Sequence, residues 1–427
     1  MRLLGETAKG PVSVCLERVG IVSLRRQGWL LLLVLGGVEG AIAQDWPHWR
    51  GTGHDGKAAG FIAPVQWPSA LTRKWRVPVG LGEATPALVG DRLYAFGRLD
   101  DSEVVFCLDV ADGHERWRHA YRAVAVTGPA ERYAGPRSSP AVAGGKVVVL
   151  GVGGVVSCLD AVTGELVWRH EALAAALPVF FTAMSPLVTE GVCVVHLGGK
   201  DEGLLVALEL STGKVKWRWT GEGPAYASPV PLAIDGAMQV VVQTEQNLAG
   251  HAWADGQRLW QVATSPKPGY WNSVTPVVAG ATVIYSGQGK GTRAVRIESQ
   301  GTGFTAREVW HQAELGTVYS TPVLKDGRLW ALSDRGRYYC LDQVTGATQW
   351  ISTTRVSNFG SLVDAGAVLV ALPEKSDLVV LEPSGEGYRE LASYAVSDTP
   401  IYAHPVVAGR RVFVRDAESV TLWILGD

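Results

Sequence analysis

Charge of one sign is nowhere concentrated in these 427 residues. Lys and Arg total 39 against 41 Asp and Glu, a formal net charge of −2, and the basic residues are scattered along the chain. The electrostatic footprint of a nucleic-acid binder is therefore missing, and no nucleic-acid partner is expected. Several catalytic signatures are missing too: there is no Gly-x-Ser-x-Gly elbow, no phosphate loop ending in Gly-Lys-Ser/Thr, and no His-Glu-x-x-His. The closely spaced glycines of "SGQGKG" (286–291) fall between two expected strands, so they read as a hairpin. Long apolar runs are also scarce. The one near the start, Trp29 to Val38, has about ten residues, too few to span a bilayer.

That run is preceded by Arg25 and Arg26 and followed by Ala41-Ile42-Ala43, a small-x-small site before Gln44. The pattern predicts a signal peptide over 25–43 with cleavage after Ala43, and hence a periplasmic or secreted protein. Residues 1–24 form an unassigned extension, consistent with a start codon placed too far upstream, and the Arg pair hints at twin-arginine export. Cys15 would leave with the leader, which leaves Cys107, Cys158, Cys193 and Cys340. Three of these precede a Leu-Asp pair in separate repeats, so small buried fillers are expected in place of disulfides. No Cys stands at the cleavage site, so neither a lipid anchor nor another stable membrane anchor is expected after processing.

What the chain has in abundance is a phrase. "FCLDVADGHERW" (106–117), "SCLDAVTGELVW" (157–168), "VALELSTGKVKW" (206–217) and "YCLDQVTGATQW" (339–350) each place a Leu nine positions before a Trp. The closing tryptophans are Trp117, Trp168, Trp217, Trp260, Trp310 and Trp350, with a faded copy near Leu391. Most repeats open on Ser/Thr-Pro followed by apolar alternation, as in "SSPAVAGGKVVVLG" and "STPVLKDGRLWALS". Alternation, a Gly turn, a second run, a third ending in Leu-Asp and a fourth carrying Trp make four antiparallel strands per unit. With 51 glycines and 22 prolines spread throughout, the fold class is all-β. A repeat of this length and content is a propeller blade.

The chain ends on "SVTLWILGD", a third strand without a fourth, whereas "LTRKWRVPVG" (71–80) is a fourth strand without its repeat. Trp75 should therefore complete the last blade, giving eight blades over 71–427, closed by an N-terminal outer strand, with 44–70 as a lead-in. On this reading, removing 44–80 should destabilise far more than removing 44–68. The seven tryptophans, Trp75 included, are structural staples that fill the wedges between blades, and the acid of each phrase caps its turn.

At these residues the sequence resembles the PQQ-like (pyrroloquinoline-quinone repeat) propellers, whose blades carry an "LDxxTGxxxW" phrase, and "DWPHWRGTGHDG" (45–56) looks like the lead-in of secreted bacterial members. The resemblance spans 71–427 and implies the propeller. It also implies two kinds of function, because the superfamily holds quinone-dependent dehydrogenases and non-catalytic binding or assembly factors. The dehydrogenases add adjacent cysteines, a Ca²⁺ held by acid and amide oxygens, and an Asp base; this chain has no adjacent cysteine pair and no acid-rich calcium loop.

One constellation carries functional content. Three residues before the opening Pro of a blade stand Glu83, Arg137, Tyr226, Tyr319 and Tyr402, with Phe359 matching in the repeat that lacks Pro and Ala183 and Ser273 in the other two. Trp271, Asn272 and Asn358 adjoin this register. If first strands line the channel, Glu83, Arg137, Tyr226, Trp271, Asn272, Tyr319, Asn358 and Tyr402 form a ligand-binding mouth; the competing expectation is a plug in which Glu83 pairs with Arg137. His119 and His170 follow a Trp at the same interval and belong to the repeat. His48 and His54 lack a partner at metal-ligand spacing, so no metal site and no catalytic residue are expected. The leading expectation is a non-catalytic, extracytoplasmic, monomeric propeller binding a protein or small ligand. A quinone-dependent oxidoreductase using PQQ with Ca²⁺ and a carbohydrate-binding protein are the alternatives.

Overall fold

Apolar strands buried on both faces, with outer strands that bury one face alone, make up the 32 strands that the computed structural model arranges in eight four-stranded antiparallel sheets. It describes residues 45–264, 271–301, 303–374 and 376–426. The expected leader and extension lie outside the described residues. The chain is an eight-bladed propeller, as its repeats predict. Strands β2–β5 form blade 1, from Ala87–Val89 to Glu115–Arg122, and each later blade takes the next four strands in order. The first strands of neighbouring blades pack on one another around the axis.

Blade 8 is assembled from both ends of the sequence. Its sheet order is β1-β32-β31-β30, with Thr72–Pro78 as the outer strand and Trp75 opposite Leu422. The ring is thereby closed by hydrogen bonds between the two ends of the propeller, and no blade is left short of a strand.

Each outer strand carries a β-bulge one residue before its tryptophan, so that Trp117 faces Cys107 while Glu115 faces Leu108. The same shift recurs in all eight blades. In blade 7 the bulged residue is Leu391, and the tryptophan's place, opposite Val380, is held by Ala392. The faded copy is thus a truncated staple.

The staples bridge blades. Trp168 Nε1 donates to the Leu210 carbonyl (2.8 Å), Trp217 Nε1 to that of Trp253 (2.8 Å) and Trp310 Nε1 to that of Gln343 (3.0 Å). A glycine of the next blade's turn lies on the ring: a Cβ at Gly213 would come within 2.8 Å of Trp168, at a φ of +72° that also favours glycine. The acids cap these turns, as Asp160 does for the N–H groups of Val162 and Thr163. Trp260 is the exception. Blade 5 replaces the tight turn with two ten-residue strands, β20 (Gly291–Gln300) and β21 (Gly303–Gln312), and Trp260 turns instead over Gly250 to donate to Gln239 Oε1 (2.7 Å). Cys107, Cys158, Cys193 and Cys340 are buried and free, as expected of fillers.

The lead-in does more than precede the propeller. Trp46 exchanges backbone hydrogen bonds with Leu88 of blade 1, and Val142 of blade 2 donates to the Pro47 carbonyl. Trp49 Nε1 donates to Thr275 of blade 5, and the fully buried Arg50 reaches the carbonyls of Thr321 and Pro322 in blade 6. Residues 56 and 58 bond to Asp364 of blade 7, and Ile62 to Gly409 of blade 8. Six blades are tied by this segment, so removing 44–68 alone should also carry a cost in stability.

Candidate functional site

Each blade enters its first strand from the preceding outer strand, and the residue before the opening proline is held in place by its neighbour. The N–H of Ser139 donates to Ser185 Oγ, that of Ser185 to Ser228 Oγ, that of Ser228 to Thr275 Oγ1, and that of Thr275 to Thr321 Oγ1, at 2.9 to 3.3 Å. His404, in the same place in blade 8, donates to Thr85 Oγ1 (2.9 Å). The recurrent Ser/Thr before proline thus ties blade to blade around the neck of the channel.

Two residues earlier, this ring fixes a register. All eight residues of that register, Glu83, Arg137, Ala183, Tyr226, Ser273, Tyr319, Phe359 and Tyr402, line one cavity of about 310 Å³. Trp271 joins them. Asn272 and Asn358 do not line it. Asn272 is buried beneath, donating to Thr264 Oγ1 and to the Thr244 carbonyl and accepting from Lys290 Nζ, so its role is structural. The "SGQGKG" stretch is the expected hairpin between β19 (Thr282–Gly287) and β20, with Lys290 N–H donating to the Gly287 carbonyl.

The structure adds four side chains that sequence reasoning missed: Trp49, Tyr133, Phe180 and His404. Trp49 and His404 pack at 4.4 Å between ring centroids beside the neck, so the lead-in forms the floor of the cavity. Tyr133 comes from a 3₁₀ turn, Gly128–Tyr133, after blade 1, and Phe180 from the connection after blade 2. A pair of adjacent phenylalanines, Phe180-Phe181, in a connecting segment was the signal available in the sequence.

The result is a cup with two unlike sectors. Phe180, Tyr226 and Trp271 meet edge to face, with centroids 5.4 to 6.0 Å apart. Tyr319 stacks on Phe359 (4.7 Å), which meets Tyr402 (5.5 Å), which in turn meets Tyr133 (5.6 Å). Between Tyr133 and Phe180 lies the polar sector, Glu83 and Arg137. Among the described residues these two form no ion pair with each other, against the sealed-plug expectation. Arg137 Nη1 donates to the Phe180 carbonyl (2.7 Å), while its Nε and Nη2 are buried without a partner. Glu83 Oε2 is also buried and unpartnered, and burial pushes its carboxyl up to about 7 against the pull of Arg137 and Arg415.

A calcium-bound quinone does not fit this donor set. Ca²⁺ takes six to eight oxygens, and among the described residues Glu83 is the only carboxylate on the cavity. Among the described residues no three His, Cys, Asp or Glu side chains gather as metal ligands. His48 and His54 stack on each other at 4.8 Å, and burial lowers their pKa values to about 3 and about 4.

A family model described as outer membrane protein assembly factor BamB matches residues 65–201 and 100–352. Outer membrane protein assembly factor BamB of Yersinia pestis is 26% identical over 305 residues, covering 67% of this chain and 74% of the relative. Quinohemoprotein alcohol dehydrogenase ADH IIB of Pseudomonas putida is 29% identical over 140 residues, 32% of this chain and only 20% of that enzyme. Among solved structures, BamB from Moraxella catarrhalis superposes with a TM-score of 0.63 at 16% identity, covering 83% of this chain and 100% of that one. Quinohemoprotein alcohol dehydrogenase from Comamonas testosteroni gives 0.69 at 14%, covering 89% and 80%. At these identities the superpositions show the fold alone.

Proposed function

Starting from a chain that belongs to the PQQ-like β-propeller family, we propose that it is an extracytoplasmic, non-catalytic binding protein whose partner engages the cup at one mouth of the channel. The observation that carries this reading is the cup itself: all eight blades deliver their register residue to one cavity, and that cavity offers aromatic faces and one arginine but no calcium ligand set. The relatives named as outer membrane protein assembly factors cover most of the propeller, which favours a protein of outer-membrane assembly as the partner class. The quinohemoprotein dehydrogenases keep quinone chemistry as the second reading.

Placing a photo-crosslinking residue at Tyr319, which is 48% exposed on the rim, tests the location. Discrete adducts with envelope proteins are expected from position 319. A control at Val344, exposed in the turn between the third and fourth strands of blade 6 and thus at the opposite end of the blade, should give none. Equal labelling from both positions, or labelling from 344 alone, would move the partner away from the mouth.

A further inference from the structure

The floor of the cup has a chemistry that its walls do not share. Of the residues that tie blade to blade at the neck, Ser185, Ser228 and Thr275, in blades 3, 4 and 5, line the cavity, whereas among the described residues Thr85, Ser139 and Thr321 do not. The cavity reaches these three because the register above them is thin. Ala183 and Ser273 are its two small members and flank Tyr226, where the other blades place Glu, Arg, Tyr or Phe. Each of the three hydroxyls accepts a backbone N–H from the blade before or after it, Thr275 takes the Trp49 indole N–H as well, and among the described residues none of them donates its own proton. Three buried O–H groups in adjacent blades are thus left with a proton to give. Charge is missing from the same surface. Arg137 gives Nη1 to the Phe180 carbonyl, and its Nε and Nη2, like Glu83 Oε2, are buried away from the opening. A charged ligand would give up its hydration there without a counter-charge. What stands over the hydroxyls is ring: Phe180, Tyr226 and Trp271, edge to face at 5.4 to 6.0 Å. Acceptor oxygens along one edge, C–H faces for the rings and no net charge together describe a neutral sugar.

We propose that the cup holds the end of a neutral saccharide, whose oxygens accept from the hydroxyls of Ser185, Ser228 and Thr275 while its C–H faces lie against Phe180, Tyr226 and Trp271. This rests on the reading of the mouth as the binding surface and gives that surface a ligand chemistry. The volume, about 310 Å³, is at the small end for ligand pockets and suits the terminal sugars of a chain. Trp49 closes the floor, so the saccharide enters from the mouth. A free oligosaccharide and a glycan carried by an envelope partner present the same end.

The test is calorimetric titration of the intact protein with maltose, cellobiose and N,N′-diacetylchitobiose, each beside a charged counterpart: the glucuronic-acid disaccharides for the first two and de-N-acetylated chitobiose for the third. At least one neutral disaccharide should bind saturably at millimolar concentration or below, and its charged counterpart should bind at least roughly 10-fold more weakly, because burying a charge without a partner costs more than one such step. Ser228→Ala should weaken that binding roughly 3- to 10-fold, the loss of one neutral hydrogen bond. Ala183→Tyr places in blade 3 the residue that blades 4, 6 and 8 carry at this register, so it should close the slot and abolish binding while the melting temperature holds. Saturating sugar that suppresses the adducts at position 319 marks a glycan borne by the partner; bound sugar with unchanged adducts marks a free saccharide. No neutral disaccharide bound at millimolar concentration, a charged counterpart bound as tightly, or an Ala183→Tyr variant that binds like the parent would overturn the saccharide site. The reading of the mouth as the partner's surface fails separately, through absent crosslinks at position 319 while sugar binding stands.

Discussion

Tryptophan and glycine do the joining in this protein one contact at a time. Trp168 is buried between blades 2 and 3, with its indole N–H bonded to Leu210 and Gly213 against its face. Trp168→Ala should cost about 3 to 5 kcal/mol in a denaturant melt, the usual loss for truncating a large buried aromatic; a cost below about 1 kcal/mol would mean that the ring does not staple the blades. Glu83 offers a second test at this scale. Its folded pKa, about 7, lies above the ordinary carboxyl value, so the fold holds the proton more tightly than the unfolded chain does. The resulting stabilisation is complete below about pH 4.5 and is lost as pH rises through about 7. The difference in stability between Glu83→Gln and the parent should therefore shift in favour of the variant across that window, measured by melts at stepped pH. A difference that does not change with pH would show that Glu83 is not held protonated by burial.

Single elements explain what the sequence revealed and what it hid. The Leu-to-Trp interval of nine is legible because a bulge and a Gly turn recur at fixed places in the third and fourth strands, and a rigid local device leaves a rigid spacing. The register of the mouth is legible for the same reason: it is counted from the opening proline. Tyr133, Phe180 and Trp49 were not, because they reach the cavity from connections and from the lead-in, where no period constrains them. The lead-in also hid its own importance, since Trp46, Trp49 and Arg50 tie it to three blades and backbone groups of Pro47, Gly56, Ala58 and Ile62 tie it to three more. It carries an acid sensitivity. His48, His54 and His404 are held neutral by burial at about 3, 4 and 3, below the ordinary histidine value, with the buried Arg50 opposing charge on His54 and His404. Their contribution to stability is full above about pH 6.5 and falls as pH drops toward those values. At about pH 5 the loss should reach at most about 2 kcal/mol per histidine. The check is a pair of urea melts at about pH 7 and pH 5, in which His48→Gln should narrow the gap; an equal gap in parent and variant would remove His48 from the account.

For the molecule as a whole, the count of eight blades and the closure by Trp75 followed from one missing fourth strand at the end and one surplus fourth strand near the start, and the sheet order β1-β32-β31-β30 bears them out. Function was less legible, because the same ring of blades serves binding proteins and quinone enzymes, and the difference lies in a few side chains at the mouth. Those side chains form an aromatic cup with one arginine and one buried acid. The measurement that tests the non-catalytic reading most directly is a titration of the purified protein with pyrroloquinoline quinone and Ca²⁺, followed by absorbance and by reduction of an electron-accepting dye with alcohols as substrates. The account predicts no saturable, Ca²⁺-dependent spectral change and no dye reduction above the free quinone; saturable turnover that requires both quinone and Ca²⁺ would contradict it.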